Sequence, residues 1–440
     1  MKRVDKGKVS GKDSFSLNKE KFKFEYETMK LMKKIIKMFL AACIAVNLVR
    51  AMMTPLPPEP DYVAFVKQLR TYLQTRQLES DDLSRAIDGF ERGNLEERRR
   101  YIKAISKCLF YLQVEDPSIQ NRLTQISMYL NTALPHKVLQ SAAENYFKQS
   151  LDVTTADIKF FSKLNGRQLG DIVHIKKGGK FLRFYCKTHS FGSTSTSSSL
   201  STYPVDVDEL IVYKFLEHLG VGPKTHFFFN DEKNFYIATK DIGQYDDDRP
   251  DDDVLTYEQV RNDAQLIGCS WETFSKEQEQ LVSPIIIQAL VVIDVVSRIL
   301  GLSDAITNPG NFCFTKNKAS QTLTGFKLID FRNAGGIPRK EEIFEGFKKG
   351  NGAYNYPTSK DPLIKHFLAD KDMQERRTLV LQYLNPGQML SILDIVKTEI
   401  EPIVSLQNSK ESYLGNLEKH IRYIRENIEA FFADLGKAGE

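Results

Sequence analysis

A chain of 440 residues, 41% hydrophobic and 27% charged, has the composition of an ordinary globular protein and the length for two or three domains. Its net charge of +4 is small for this size, which argues against a dedicated nucleic-acid binder but leaves room for local positive charge on phosphates. The five cysteines (Cys43, Cys108, Cys186, Cys269 and Cys313) are dispersed, with no CxxC pair or metal-type histidine spacing, and so read as free thiols of a reducing compartment.

Residues 1–28 are basic and polar without a sustained period and are expected to be a disordered leader. From Met38 to Val49 runs MFLAACIAVNLV, twelve residues preceded by Lys30, Lys33, Lys34 and Lys37. That is too short to cross a bilayer. Read from Met29, with the small Ala51 at its end, the stretch resembles a signal peptide. The long basic region before it and the cysteine pattern favour a surface-lying basic helix or leader instead. The expected location is cytoplasmic, with the secretory pathway or membrane association through residues 30–50 as the alternative. Pro55, Pro57, Pro58 and Pro60 then make an extended linker that closes the segment 1–60.

Residues 61–150 are expected to form a small helical domain. In DYVAFVKQLRTYL the apolar Val63, Phe65, Val66, Leu69, Tyr72 and Leu73 recur at three- and four-residue spacing, and Tyr101–Leu112, Ile119–Leu130 and Val138–Phe147 repeat the character. The period then changes. Ile172–Ile175 and Phe181–Cys186 are β-type runs joined by Lys-Lys-Gly-Gly, a hairpin signal because Gly178 and Gly179 tolerate positive φ. A Ser/Thr-rich loop at 190–202 precedes helical spacing from Asp206 to Leu219, ended by Gly220 and Gly222. Strand-like His226–Phe229 and Phe235–Thr239 follow. The acidic run at 246–253 reads as a solvated loop, and long helical patterns fill most of 255–300 and 362–434. The order predicts an α+β fold with a small sheet at 151–241 and a large helical half at 242–440.

Phosphoryl transfer asks a protein for cations on phosphates, carboxylates or amides on Mg²⁺, and a carboxylate near the attacking hydroxyl. Lys187 closes the hydrophobic run FLRFYCK, where an inward-pointing ammonium reaches a phosphate and an outward-pointing one is merely solvated. Glu209 opens the next helix and is a candidate partner for Lys187, with Glu217 on the same helix as the competitor. In SDAITNPGNFCF, a loop offers Asp304, Asn308 and Asn311 before a strand begins. A second strand, FKLIDF, brings Asp330 back to the neighbouring strand end, so that Asn311 and Asp330 form a candidate pair for one Mg²⁺.

The series Lys187, Glu209, FYIATKD at 235–241, Asp304 with Asn311, and IDF at 329–331 resembles the protein kinase-like superfamily. It is more similar to the atypical branch (HipA-type kinases, actin-fragmin kinase, phosphoinositide kinases and aminoglycoside phosphotransferases) than to typical protein kinases. FLEHLGVGPKTHFFF is similar to the helix-to-strand passage of those enzymes, and PGNFCF to the tail of their catalytic loops. The resemblance covers about residues 160–335 and implies a bilobal protein-kinase-like fold, with a small β-rich N-lobe and a helical C-lobe, preceded by the helical domain. It implies ATP and Mg²⁺ as cofactors. Lys187 would contact the phosphates and Glu209 would hold it, while Thr239, Lys240 and Asp241 would form the hinge against adenine. Asp304 would be the catalytic carboxylate, Asn311 and Asp330 the metal ligands.

Three departures stand beside the resemblance. Asp304 and Asn311 are seven positions apart, whereas the H-R-D-x-x-x-x-N loop of protein kinases places them closer. No GxGxxG precedes Lys187, and Asp330 is followed by Phe-Arg-Asn rather than Phe-Gly. The expectation is an ATP- and Mg²⁺-dependent phosphotransferase whose acceptor (protein, lipid or small molecule) the motifs leave open, with a catalytically inactive pseudokinase acting as a binding or regulatory module as the alternative.

Overall fold

The computed structural model describes residues 59–78, 80–162, 168–189, 205–230, 234–243, 252–302, 305, 308, 310–331, 337–338, 340–350, 359–406 and 410–437. The leader and apolar segment of 1–58, the Ser/Thr-rich stretch, most of the acidic run and Asp304 lie outside them.

Five helices come first: α1 (Tyr62–Arg76), α2 (Asp81–Arg92), α3 (Leu95–Tyr111), α4 (Pro117–Met128) and α5 (Leu134–Leu151). Their starts are written in the sequence as side-chain acceptors for otherwise unpaired amides. Asp61 caps α1 and Ser80 caps α2, Asn94 and Glu97 form a capping box on α3, and Asp116 caps α4 with Pro117 in its first turn. The apolar stripe of α1 is buried through Phe65, Val66 and Leu69.

Helix α5 belongs to the sheet as much as to the helices before it. A five-stranded antiparallel sheet, ordered β1-β2-β3-β5-β4, is built from β1 (Ile158–Ser162), β2 (Gly170–Lys177), β3 (Lys180–Thr188), β4 (Thr225–Phe229) and β5 (Phe235–Lys240). The hairpin between β2 and β3 turns at Gly178 and Gly179, with φ of +56° and +81°, values that side chains with a Cβ resist. Leu139, Ala142, Ala143 and Phe147 of α5 pack onto Val173, Ile175, Leu182, Phe184 and Cys186 of the sheet. Polar ties pin the same helix: His136 Nδ1 and Gln140 Nε2 lie 2.9 and 3.1 Å from the carboxylate oxygens of Asp171, which is fully buried. A buried carboxylate of this kind persists because both its oxygens are paired.

Helix α6 (Val207–His218) is inserted between β3 and β4 and returns to the sheet through a tight turn. At Gly222 a Cβ would come 2.7 Å from Leu216 Cβ, so the turn closes only with glycine. The helical half follows, with α7 (Tyr257–Arg261), α8 (Ala264–Ile267), α9 (Pro284–Leu300), α10 (Lys340–Lys348), α11 (Pro362–Lys365), α12 (Met373–Tyr383), α13 (Pro386–Ser405) and α14 (Lys410–Lys437). Helix α9 is apolar on nearly every side and runs through the core of this half, as an all-round hydrophobic helix must. Asn427 on α14 donates to the carbonyls of Ile299 and Pro338, at 3.2 and 3.1 Å. Gly301, at φ +72°, ends α9.

A second sheet, β6 (Asp252–Thr256), β7 (Phe312–Asn317) and β8 (Leu323–Leu328), corrects one sequence reading. The end of the acidic run is not a wet loop: Asp252 and Asp253 start β6 and pair with Asn317 and Lys316 of β7. Asp252 is buried because Thr324 Oγ1 and Asn317 Nδ2 donate to its carboxylate, at 2.6 and 3.4 Å. Charge repulsion along the run is answered there by hydrogen bonds from β7 and β8. Among the described residues no helix is long and apolar enough to cross a membrane.

Candidate functional site

A cavity of about 600 Å³ lies where the two halves meet, within the usual range of about 300–1,000 Å³ for small-molecule sites. Strand β3 forms one wall. Arg183, Tyr185 and Lys187 alternate into it, while Leu182, Phe184 and Cys186 point the other way into the core beneath α5. The two-residue period of a strand makes both faces from one run of sequence.

Thr239, Lys240, Asp241 and Ile242 line the cavity at the end of β5. Asp241 is nearly buried and held from three sides: Tyr185 Oη donates to Oδ2 at 3.0 Å, the Gly243 amide donates to Oδ1 at 3.0 Å, and Arg183 stands 3.8 Å away. The amides of Lys240 and Asp241 are spent on the carbonyls of Lys224 and Arg183, at 2.8 and 2.9 Å. Asp252, Asp253, Val254 and Leu255 close the opposite edge, with Pro223, Ile329 and Asp330 at the floor.

Lys187 and Glu209 are brought together, with Nζ 3.8 Å from Oε1. The competitor is otherwise engaged: Glu217 Oε2 accepts from Lys214 Nζ at 2.9 Å and from the Thr225 amide at 3.0 Å. Burial alone pulls the Lys187 ammonium down, but Tyr213, Glu209 and Asp330 together outweigh it and hold the group above the usual lysine range, so it stays charged. Burial pushes the Tyr213 phenol up to about 12 against the pull of Lys187, so the phenol keeps its proton.

Asn311 and Asp330 are also neighbours. The Asn311 carbonyl accepts from the amides of Ile329 and Asp330, at 2.8 and 3.1 Å. Asp330 lines the cavity and is exposed, and its Oδ1 takes the Phe331 amide at 3.1 Å; Asn311 is buried behind it and is not among the lining residues. The floor is tied to the turn after α6, where Val221 O accepts from the Leu328 amide at 2.7 Å. Asp304, expected as the catalytic carboxylate, lies outside the described residues. Among the described residues no group of three His, Cys, Asp or Glu side chains is placed to hold a metal by itself.

Sequence reasoning passed over Arg183, Tyr185 and Tyr213. Each sat at a legible spacing: the first two at two-residue intervals before Lys187, the third one helical turn after Glu209.

No family model matches the chain, and no curated protein matches it significantly. Solved structures similar to it include two of low identity. One is a Helicobacter pylori proinflammatory kinase, CtkA, at 10% identity and a TM-score of 0.30, covering 60% of this chain and 95% of that one. The other belongs to the Shewanella oneidensis MR-1 toxin–antitoxin complex of HipA, HipB and operator DNA, at 10% identity and a TM-score of 0.28, covering 63% of this chain and 66% of that one. The architecture carries the fold class by itself: a five-stranded antiparallel sheet with one helix inserted before β4, a helical half behind it and a cavity at their junction. This is the α+β arrangement, a small sheet followed by a large helical half, expected from the sequence.

Proposed function

We propose that the chain is an ATP- and Mg²⁺-dependent phosphotransferase of the atypical kinase-like type. The observation that carries this reading is the convergence of Lys187, its partner Glu209 and the Asp330 carboxylate at one end of a nucleotide-sized cavity whose other end is Thr239–Ile242. Adenine would lie against the β5 end. Because the Lys240 and Asp241 amides are already spent, its partners there are sought at Ile242 and the Thr239–Asp241 side chains.

The residues present fit magnesium nucleotide. A charged lysine and an exposed carboxylate line the same cavity, and an asparagine is linked to that carboxylate's residue through its own backbone carbonyl. Lys187 would bind the phosphates, Glu209 would orient it, and Asp330 and Asn311 would hold the metal, which supplies positive charge to the phosphate oxygens. Asp304 would take the proton of the attacking hydroxyl. The acceptor is a protein, lipid or small-molecule hydroxyl.

The test is the thermal shift of the full chain with ATP, with and without Mg²⁺, beside Asp330→Asn. A ligand that binds only the folded state raises its melting temperature by mass action. Stabilisation by Mg-ATP that Asp330→Asn removes supports the nucleotide site, and phosphate transfer to added acceptors or to water then separates a kinase from a pseudokinase. No response to ATP under either condition ends the reading.

A further inference from the structure

The end of the cavity away from Lys187 carries a carboxylate of its own. Asp241 lines it, with its side chain 10% exposed. Tyr185 Oη donates to Oδ2 at 3.0 Å, the Gly243 amide donates to Oδ1 at 3.0 Å, and Arg183 Nη1 stands 3.8 Å from Oδ2. Burial, with Asp241 beside it, pushes the Tyr185 phenol up, so the phenol keeps its proton and donates. Arg183 is steered in turn by His174, whose Nε2 accepts from its Nε at 2.9 Å. A carboxylate has about four acceptor sites and no donor, so each Asp241 oxygen keeps room for one more N–H. The amides of Lys240 and Asp241 are bonded to the carbonyls of Lys224 and Arg183. A base arriving here therefore meets a fixed acceptor with a guanidinium beside it, in place of those two backbone donors.

We propose that Asp241 reads the base and opens the site to guanine nucleotides as well as ATP, its carboxylate taking the guanine N1–H and 2-amino group. This rests on the nucleotide reading above. The reason lies in the edges of the bases. Guanine carries two adjacent donors, N1–H and the 2-amino group, which match the two oxygens of one carboxylate, while its O6 suits a guanidinium. Adenine brings one donor, the 6-amino group, flanked by the acceptors N1 and N7, which a carboxylate repels. A carboxylate drawn out of water is stabilised most when its remaining acceptor sites are filled by N–H groups. A site built on such bonds discriminates against a ligand that lacks one of the donors.

The experiment titrates the full chain calorimetrically with the magnesium complexes of ATP, GTP and inosine triphosphate, whose base is guanine without its 2-amino group. The series is repeated on Asp241→Asn. The wild type is expected to bind GTP about tenfold more tightly than inosine triphosphate, the scale of one hydrogen bond to a charged group. Asp241→Asn keeps the shape of the side chain and is expected to close that gap while ATP still binds. The unliganded melting temperature checks the folding of the variant, and the comparison of GTP with inosine triphosphate on the wild type needs no substitution at all. A wild type that binds ATP but not GTP, equal affinities for GTP and inosine triphosphate, or a gap that survives in Asp241→Asn each overturns the base-reading role while leaving the nucleotide site standing. A wild type that binds none of the three overturns the nucleotide reading, and this inference with it.

Discussion

Asn311 holds Asp330 by the main chain: its carbonyl receives the amides of both Ile329 and Asp330, at 2.8 and 3.1 Å, so the residue entering β7 fixes the residue leaving β8. The consequence is that side-chain substitutions at either position leave the backbone link in place and report on chemistry.

Asn311→Ala is therefore expected to keep the fold but to weaken Mg-ATP binding by roughly tenfold, with metal-free ATP little affected. Titrating each nucleotide form with and without Mg²⁺ checks this. An equal loss in both forms would show that Asn311 shapes the pocket without serving the metal.

The two glutamates of α6 should separate cleanly. Glu209→Gln removes the charge behind Lys187 and is expected to reduce ATP affinity with a small change in melting temperature. Glu217→Gln weakens the bonds to Lys214 and the Thr225 amide and is expected to cost about 1 kcal/mol of stability with nucleotide binding intact. Melting curves and titrations on both variants decide it, and the reverse pattern contradicts the assignment.

Phe147 is completely buried, with its ring 4.5 Å from that of Phe184 on the sheet. Phe147→Ala is expected to destabilise the protein by about 3–5 kcal/mol, the cost of a large cavity in a packed core. Chemical denaturation measures it. A loss well under 1 kcal/mol would mean that α5 is not part of the sheet's core.

Acid should loosen the same junction. Burial, with Lys224, Lys214 and Lys240 nearby, holds the His226 imidazole down at about 4, and its Nδ1 lies 2.8 Å from the Tyr146 hydroxyl on α5. The folded value is below the unfolded one of about 6.5, so the unfolded chain takes up more protons. Stability is complete above about pH 6.5 and falls as the pH drops towards 4, by roughly 3 kcal/mol from this group. His189, buried and also held at about 4, adds in the same direction. Melting temperature against pH checks this, with the acid limb shallower in His226→Gln; identical limbs would refute it.

Much of the fold was legible because its signals are local. Gly178-Gly179 marked a hairpin, Asp206 and Gly220 bracketed α6, and the three- and four-residue spacing of Phe65, Val66 and Leu69 marked a buried helix face. The approach of Asn311 to Asp330 was legible too, since two strands closing a hairpin must bring their outer ends together. What escaped was set by distant partners. Asp252 looks solvated until Thr324 and Asn317, far along the chain, are folded against it. Choosing between Glu209 and Glu217 required knowing that Lys214 and the Thr225 amide had already taken the second. Tyr213 escaped because a tyrosine at helical spacing reads as core, which it is, and only the arrival of β3 shows that its ring meets the Lys187 ammonium.

Helix α6 has its moorings on the helical half: Lys214 and His218 reach Glu399 on α13, at 3.6 and 3.0 Å, and Asp208 pairs with His420 on α14. Lys187, by contrast, rides on the sheet. The 3.8 Å gap between Lys187 and Glu209 is thus spanned from two sides, by a strand of the sheet and by a helix that is tied both to the helical half and, through Lys214 and Glu217, to Thr225 of β4. Helix α6 is therefore the piece through which α13 and α14, late in the chain, reach the cation that faces the cavity.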